Sequence, residues 1–406
     1  MLDYYLHTSA TAMDALYPAE RHWRPRIPVP ASLGPAATDP TSARAWLDTE
    51  RATLVTLAVY AARHGWPSHA SQLGVTIYRY MDRGGYYPEA VRVHTATVTV
   101  ARQAHDTAME AVALNALGHS SMRQGDYQAA VGHLQQSLAL APSLSDRAVR
   151  ARTLNHLGAV SYDQGQYEQA IAYQEQALIL YRENSDQAGE SGMLCNLGIS
   201  DLRQGRYRQA RERFERALVL ARRCGHRALE ANSLVKLGQA WLMLGSPARA
   251  AELLQEALVL TRETGDRAGE TTASTGLGDT YLRLGDHERA AEYLRQALVL
   301  SRDTGDPIDE ADALNGLGDV LLSVGQPGQA RLQYAAAVEL ASRIGARYQQ
   351  ARAHVGLART CPDDIGQARL HWQQALSLFA AMGVPEAGQV QAELAMTNHG
   401  ESAASH

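Results

Sequence analysis

The sequence has two phenylalanines, three cysteines and, among 38 basic residues, a single lysine, Lys236. Each shortage excludes something. Aromatic residues supply only 6% of a chain that is 45% hydrophobic, so its core must be built from Ala, Leu and Val. Such a composition favours closely packed helices over sheets, which prefer β-branched and aromatic residues. Cys195, Cys224 and Cys361 form no C-x-x-C pair and lie far apart, which excludes a disulfide framework or a zinc ribbon and fits a reducing compartment. No apolar run reaches the roughly 18 residues of a membrane span, and the N-terminus lacks the charged-then-apolar pattern of a signal peptide. A cytoplasmic protein with no membrane partner is therefore expected. The net charge of -5 gives the whole molecule no reason to seek nucleic acid, so no direct sequence-specific nucleic-acid binding is expected either. The preference for arginine over lysine reflects a GC-rich genome and carries no functional weight.

Catalytic signatures are missing as well. No G-x-x-x-x-G-K-[ST] phosphate loop, H-E-x-x-H or G-x-S-x-G occurs. Fifteen histidines are scattered; His119 and His156 lie on equivalent helices, yet neither belongs to a metal-spaced pair within its own helix. Acidic residues are abundant, but no acid-base pair can be selected from them. The chain is expected to be no enzyme, with no cofactor and no metal site.

What the chain does have is a repeat. Leu-Gly recurs every 40 residues at Leu117-Gly118, Leu157-Gly158, Leu197-Gly198, Leu237-Gly238, Leu277-Gly278 and Leu317-Gly318. Thirteen residues after each leucine stands Ala130, Ala170, Ala210, Ala250, Ala290 or Ala330, and seven further on Ser137, Ala177, Ala217, Ala257, Ala297 or Ala337. Small residues at fixed phase let two helices approach closely. Between them Gly125, Gly165, Gly205, Gly245, Gly285 and Gly325 can end a first helix in the left-handed conformation. Pro247 and Pro327 suit the first turn of the next helix, and Asp266 or Asp306 can cap the helix after that.

The register organises the whole chain. Residues 1–17 read as an N-terminal helix, 18–40 as a Pro-rich extended loop and 41–70 as N-terminal capping helices. Seven repeats fill 71–350, of which 71–110 is degenerate. A further degenerate repeat and a C-terminal capping helix occupy 351–397, and 398–406 is expected to be a disordered tail.

The Leu-Gly, Gly-x-Tyr, Ala and Ala positions resemble the tetratricopeptide motif, and the 40-residue period is similar to the longer variant in kinesin light chains and spindle-orientation adaptors. That resemblance covers about three quarters of the chain. It implies an all-α fold, a right-handed superhelical solenoid of about eight helical hairpins with helical caps. The flanks, LDYYLHTSATAMDALYP at 2–18, AWLDTERATLVTLAVYAARHGW at 45–66 and HWQQALSLFAAMGVPEAGQVQAEL at 371–394, resemble the C-terminal sensor arm of STAND (NB-ARC-type) antibiotic-regulatory, SARP-like transcriptional regulators of high-GC bacteria. In that family the arm follows a nucleotide-binding module. With no phosphate loop here, the resemblance implies sensing without the switching chemistry, in a fragment or a split gene.

At about 100° per residue, Leu154, Leu157, Gly158 and Ser161 share one helix face, the packed one. The resemblance implies that the opposite face lines a concave groove. Carried along the repeats it offers Asn115, His119, Arg123, Arg152, Asn155, His156, Asn196, Arg203, Asn232, Lys236, Asp279, Asn315 and Asp319 as ligand-binding candidates. Asparagine is a poor helix-interior residue whose side chain both donates and accepts. Its recurrence reads either as a ladder gripping the backbone of an extended peptide or as polar solvation of an inner wall. The wall is expected to run from basic to acidic along the chain. A second feature is the run Arg203, Arg206, Arg208, Arg211, Arg213, Arg216, Arg222, Arg223 and Arg227. It reads either as a dock for an acidic partner or as a solvated helix paired with neighbouring glutamates. The leading expectation is a protein- or peptide-binding sensor arm of a bacterial transcriptional regulatory system; a free-standing adaptor is the alternative, and an enzyme a distant one.

Overall fold

In the computed structural model, residues 19–20, 22–23, 31–38, 141–146, 363 and 405–406 and the side chains of 397–406 lie outside the described residues. Most of the Pro-rich stretch expected to be an extended loop therefore falls beyond description. The rest is helical, with no strand among the described residues.

The contacts divide the chain into two units, Met1–Val160 and Ser161–His406. The first contains α1 (Leu2–Leu16), α2 (Pro40–Arg63), α3 (Pro67–Arg83), α4 (Tyr87–Gln103), α5 (Thr107–Arg123), α6 (Tyr127–Leu140) and most of α7 (Arg147–Asp163). Here α1 and α2 bury Leu6, Met13, Leu47, Leu54 and Leu57 against Leu73, Ile77, Tyr80 and Met81 of α3 and Val93 of α4. That apolar cover closes the open end of the hairpin stack, as a terminal repeat requires.

The second unit continues with α8 (Tyr167–Glu183), α9 (Gln187–Arg203), α10 (Tyr207–Arg223), α11 (Arg227–Met243), α12 (Pro247–Thr264), α13 (Arg267–Arg283), α14 (His287–Thr304), α15 (Pro307–Ser323), α16 (Pro327–Ile344), α17 (Arg347–Arg359), α18 (Ile365–Met382) and α19 (Glu386–Ala404). Helix α19 thus runs on through most of 398–406, the stretch expected to be disordered.

The repeat residues explain the packing. A Cβ on Gly278 of α13 would stand 2.4 Å from Cγ of Leu294 on α14, and one on Gly316 of α15 would stand 2.6 Å from Cδ2 of the same leucine. One large side chain is thereby held between two glycines of successive first helices; Leu254 sits likewise between Gly238 and Gly276, and Tyr334 between Gly318 and Gly356. The turn glycines adopt positive φ, from 64° at Gly383 to 83° at Gly125, a region costly to any residue with a Cβ. Asp266 accepts the backbone N–H of Gly269, and Asp306 those of Ile308 and Asp309, so the expected aspartate caps are in place.

Candidate functional site

In the second unit each first helix touches the first helix of the next hairpin: α9 on α11, α11 on α13, α13 on α15, α15 on α17. The second helices pack chiefly on first helices. A stack whose members touch along one row only must curve toward that row, so the first helices form the inner wall of this unit. Side chains four, seven and eleven residues apart on these helices point inward, and one residue off that row turns by about 100° toward the neighbouring helix.

The inner row of the second unit carries charges of both signs. Arg352 on α17 lies with Nη1 3.5 Å from Oδ1 of Asp312 and Nη2 3.3 Å from Oδ2 of Asp319. Tyr334 donates to Asp319 at 2.7 Å, and Gln349 to Asp312 at 3.3 Å. Arg203 is held by neutral groups: its Nε donates to the Tyr162 hydroxyl at 2.8 Å, and its guanidinium lies 3.7 Å above the Tyr348 ring. Tyr348 in turn donates to Glu386 at 2.6 Å.

Lys236 and Asp279, both half-buried, have neither a hydrogen bond nor an ion pair among the described residues. Burial, with the charge of Arg203 beside it, pulls the Lys236 ammonium below the usual lysine range against the pull of Asp309 and Asp312. Burial pushes the Asp279 carboxyl up to about 6, Arg352 opposing and Asp319 and Asp312 adding to the rise.

The first unit presents a different inner row. His119 Nδ1 lies 3.1 Å from the Tyr78 hydroxyl, and its ring stacks on His156 at 4.6 Å between centroids. Burial lowers the imidazole of His119 to about 3, with Arg123 and Arg79 assisting; it lowers buried His94 to about 4 and holds His156 well below its ordinary value. At neutral pH these rings are uncharged; His119 and His156 stack as a flat, weakly polar face, while His94 is buried on the second helix α4. Among the described residues no three His, Cys, Asp or Glu side chains are grouped so that they could hold a metal ion.

The remaining sequence candidates divide by their place on the helix. Asn115 is buried and donates to Thr153 on the next first helix at 3.0 Å, and buried Asn315 donates to the Gln349 carbonyl at 3.1 Å. Both lie one residue off the inward row and join neighbouring repeats. Cys195, 80 residues after Asn115, meets Ser233 in the same way at 3.3 Å. Arg152, Asn155 and Asn196 are half-buried, and Asn232 is exposed. Arg123 donates to the Tyr87 hydroxyl at 2.9 Å. In the arginine run, Arg206 and Arg213 flank buried Asp201 at 2.7 and 2.9 Å, Arg211 lies 3.6 Å from Glu215, Arg222 reaches Glu230 and Glu256, and Arg227 reaches Glu263. Arg208, Arg216 and Arg223 are exposed with no ion pair among the described residues.

Arg352 is not among the sequence candidates, because its repeat departs from the motif. Carried one unit further, the 40-residue register places it on the inner row beside Asp312. The roles of Tyr162, Tyr348 and Glu386 had no sequence signal, since they meet Arg203 from distant parts of the chain.

Tetratricopeptide-repeat profiles match residues 109–183, 149–223, 189–263 and 229–303, and a second profile of that description matches 275–350. Together they span more than half of the chain. It is a tetratricopeptide-repeat protein. A profile described as anaphase-promoting complex subunit 5 also matches 78–119. No curated protein matches. Among solved structures, the tetratricopeptide-repeat chain is similar to the apo form of RapI (15% identity, 67% of this chain and 98% of that one, TM-score 0.55). It is similar also to aspartyl phosphate phosphatase F from Bacillus subtilis (13%, 84% and 93%, TM-score 0.55). A third similar structure is a signal transduction ATPase with numerous domains (STAND) with a tetratricopeptide repeat sensor from Pyrococcus horikoshii (15%, 84% and 52%, TM-score 0.54), of which this chain spans about half. Identities this low show a shared fold alone. The tetratricopeptide repeat is a protein-interaction scaffold, no catalytic family matches, and no helix among the described residues is long and apolar enough to cross a membrane.

Proposed function

We infer that this protein is the interaction arm of a bacterial transcriptional regulatory system, binding a protein or extended peptide on the inner face of its first helices. The observation that carries the reading is the inner row of the second unit, where Lys236 and Asp279 stay unpaired in a setting that penalises charge. A wall built only for packing would carry apolar or neutral residues there. Asn196, Arg203 and Asp319 line the same face, while Asn315 holds the wall together. In the first unit His119, Arg152 and His156 present a separate polar face. The regulatory part rests on the resemblance of the flanking segments to STAND-class sensor arms, which the fold shared with the archaeal STAND protein accompanies.

The test is a photo-crosslinking amino acid placed at Gln239 on the inner row and, as a control, at Val259 on an outer helix, in the source cells. A discrete protein or peptide adduct at 239 that is missing at 259 is the expected result. Equal labelling at both positions would remove the inner face from consideration. Transcript profiling of a deletion strain tests the regulatory part; an unchanged profile would leave a free-standing adaptor.

A further inference from the structure

The inner row of the second unit is segregated by charge as well as charged. Arg352 lies within ion-pair reach of both Asp312 and Asp319, so these three groups are paired with one another and keep one net negative charge. Arg203 and Lys236 stand apart as a positive pole without a carboxylate in ion-pair contact, since Arg203 is held by two tyrosines and Lys236 feels Asp309 and Asp312 only from beyond ion-pair distance. Asp279 is left as a negative pole. Each pole influences the same central group, Asp312, whose charge acts on Lys236, Arg203 and Asp279 alike, so the poles belong to one electrostatic cluster.

Unpaired charges at a desolvated wall cost stability. The surrounding repeats show that the fold does not need them: the position of Lys236 is Gly276 or Gly316 in later repeats, and that of Asp279 is Ile199 or Gln239 in earlier ones. With a ligand bound, each charge could be matched by an opposite one in a low-dielectric setting, where such contacts are strong and selective.

We propose that this inner face selects an extended peptide segment of mixed charge, with acidic side chains seated against Arg203 and Lys236 and a basic side chain against Asp279. Arg203, Lys236 and Arg352 balance Asp279, Asp312 and Asp319 in number, so what the row asks of the matching segment is charge of both signs in a fixed order. The proposal rests on the peptide-binding reading above and adds to it the chemistry of the peptide.

The probe is a phage-displayed library of random dodecapeptides, panned on the full chain and on the charge-reversed variants Lys236→Glu and Asp279→Lys, each checked for helix content and melting temperature. Wild-type protein is expected to enrich sequences with acidic residues and a basic residue at a fixed spacing. Lys236→Glu should shift the acidic preference toward basic or neutral residues, and Asp279→Lys should convert the basic preference to an acidic one. If a reversed variant fails to fold, the neutral Lys236→Met and Asp279→Asn should each weaken the best wild-type peptide about tenfold, as loss of one charge-assisted contact does. Enrichment without charge preference, or a preference the variants leave unchanged, would overturn the proposal while leaving peptide binding intact. No enrichment on the wild-type protein would overturn both.

Discussion

At Gly278 and Gly192 the same substitution is expected to act with opposite sign. A Cβ on Gly278 meets Leu294 at 2.4 Å, and Leu294 has no room to move because Gly316 confines its other side. Gly278→Ala gains about 1 kcal/mol of helix propensity but loses more to overpacking, for a net cost of about 1–2 kcal/mol. Gly192, within α9, faces open space, and Gly192→Ala should stabilise by about 0.5–1 kcal/mol. Urea unfolding of both variants tests the assignment; equal effects would mean that the close approach does not govern packing. Asp279 allows a pH test. Its carboxyl rises from 3.8 to about 6 on folding, so between those values the folded state holds the proton more tightly than the unfolded chain. Stability therefore falls as pH rises through that window, and the loss is complete above about pH 6. Asp279→Asn should be more stable than wild type by about 1–3 kcal/mol at pH 7.5 and nearly equal to it below pH 4. A variant less stable at pH 7.5 would show that Arg352 and Arg283 outweigh burial and the charges of Asp312 and Asp319.

Between hairpins the recurrent element is a bracket the sequence reading did not find. Arg102 donates to Glu110, Arg182 to Glu190, Arg222 to Glu230, Arg262 to Glu270 and Arg302 to Glu310, each at 2.6–2.9 Å and always eight residues apart. Each ties the end of a second helix to the start of the following first helix. The arginines are about half exposed, so one bracket contributes little, and its value lies in fixing the turn geometry. The turn itself is uneven. Gly225, Gly265, Gly305 and Gly345 take positive φ at this point, but His105 and Ser185 stand at 55° with a side chain. A left-handed residue with a Cβ costs about 1–2 kcal/mol, and glycine returns part of that gain as chain entropy. Ser185→Gly should thus raise stability by about 0.5–1 kcal/mol, measured by thermal unfolding; a fall would show that the Ser185 turn is not strained.

Within the second unit, contacts are not confined to neighbouring repeats. Tyr167 of α8 shares a buried cluster with Trp372, Phe379 and Met382 of α18. A Cβ on Gly165 would lie 3.3 Å from Met382 Cγ, and one on Gly205 2.9 Å from Pro385 Cγ. Arg203, Tyr348 and Glu386 fasten the same closure. A stack with contacts only between neighbours would lose stability locally after a change in its last repeat. Here Tyr348→Ala removes the ring under Arg203 and its edge contact with Phe379, at a cost of about 2–4 kcal/mol. Amide exchange should then speed up around Gly165 and Arg203 as well as in α17–α19. Faster exchange limited to α17–α19 would show that the closing contacts hold nothing together.

The sequence alone determined the helical hairpin, its 40-residue period, the close-packed Leu-Gly face, the turn glycines and the aspartate caps. Each of these is a local requirement repeated at fixed phase, and periodicity makes local requirements legible. It also identified most of the charged inner row, because the residues that share a helix face follow from the helical repeat. Only the tertiary structure decided which polar residues face inward and which join neighbours: Asn115 and Asn315 differ from the inward row by a single residue, a rotation of about 100° whose outcome depends on where the adjacent helix lies. The meeting of Arg203 with Tyr348, and of Tyr167 with Trp372, depends on curvature accumulated over several hairpins. No single repeat encodes that curvature, so side chains that close the second unit carry no mark in their own local sequence.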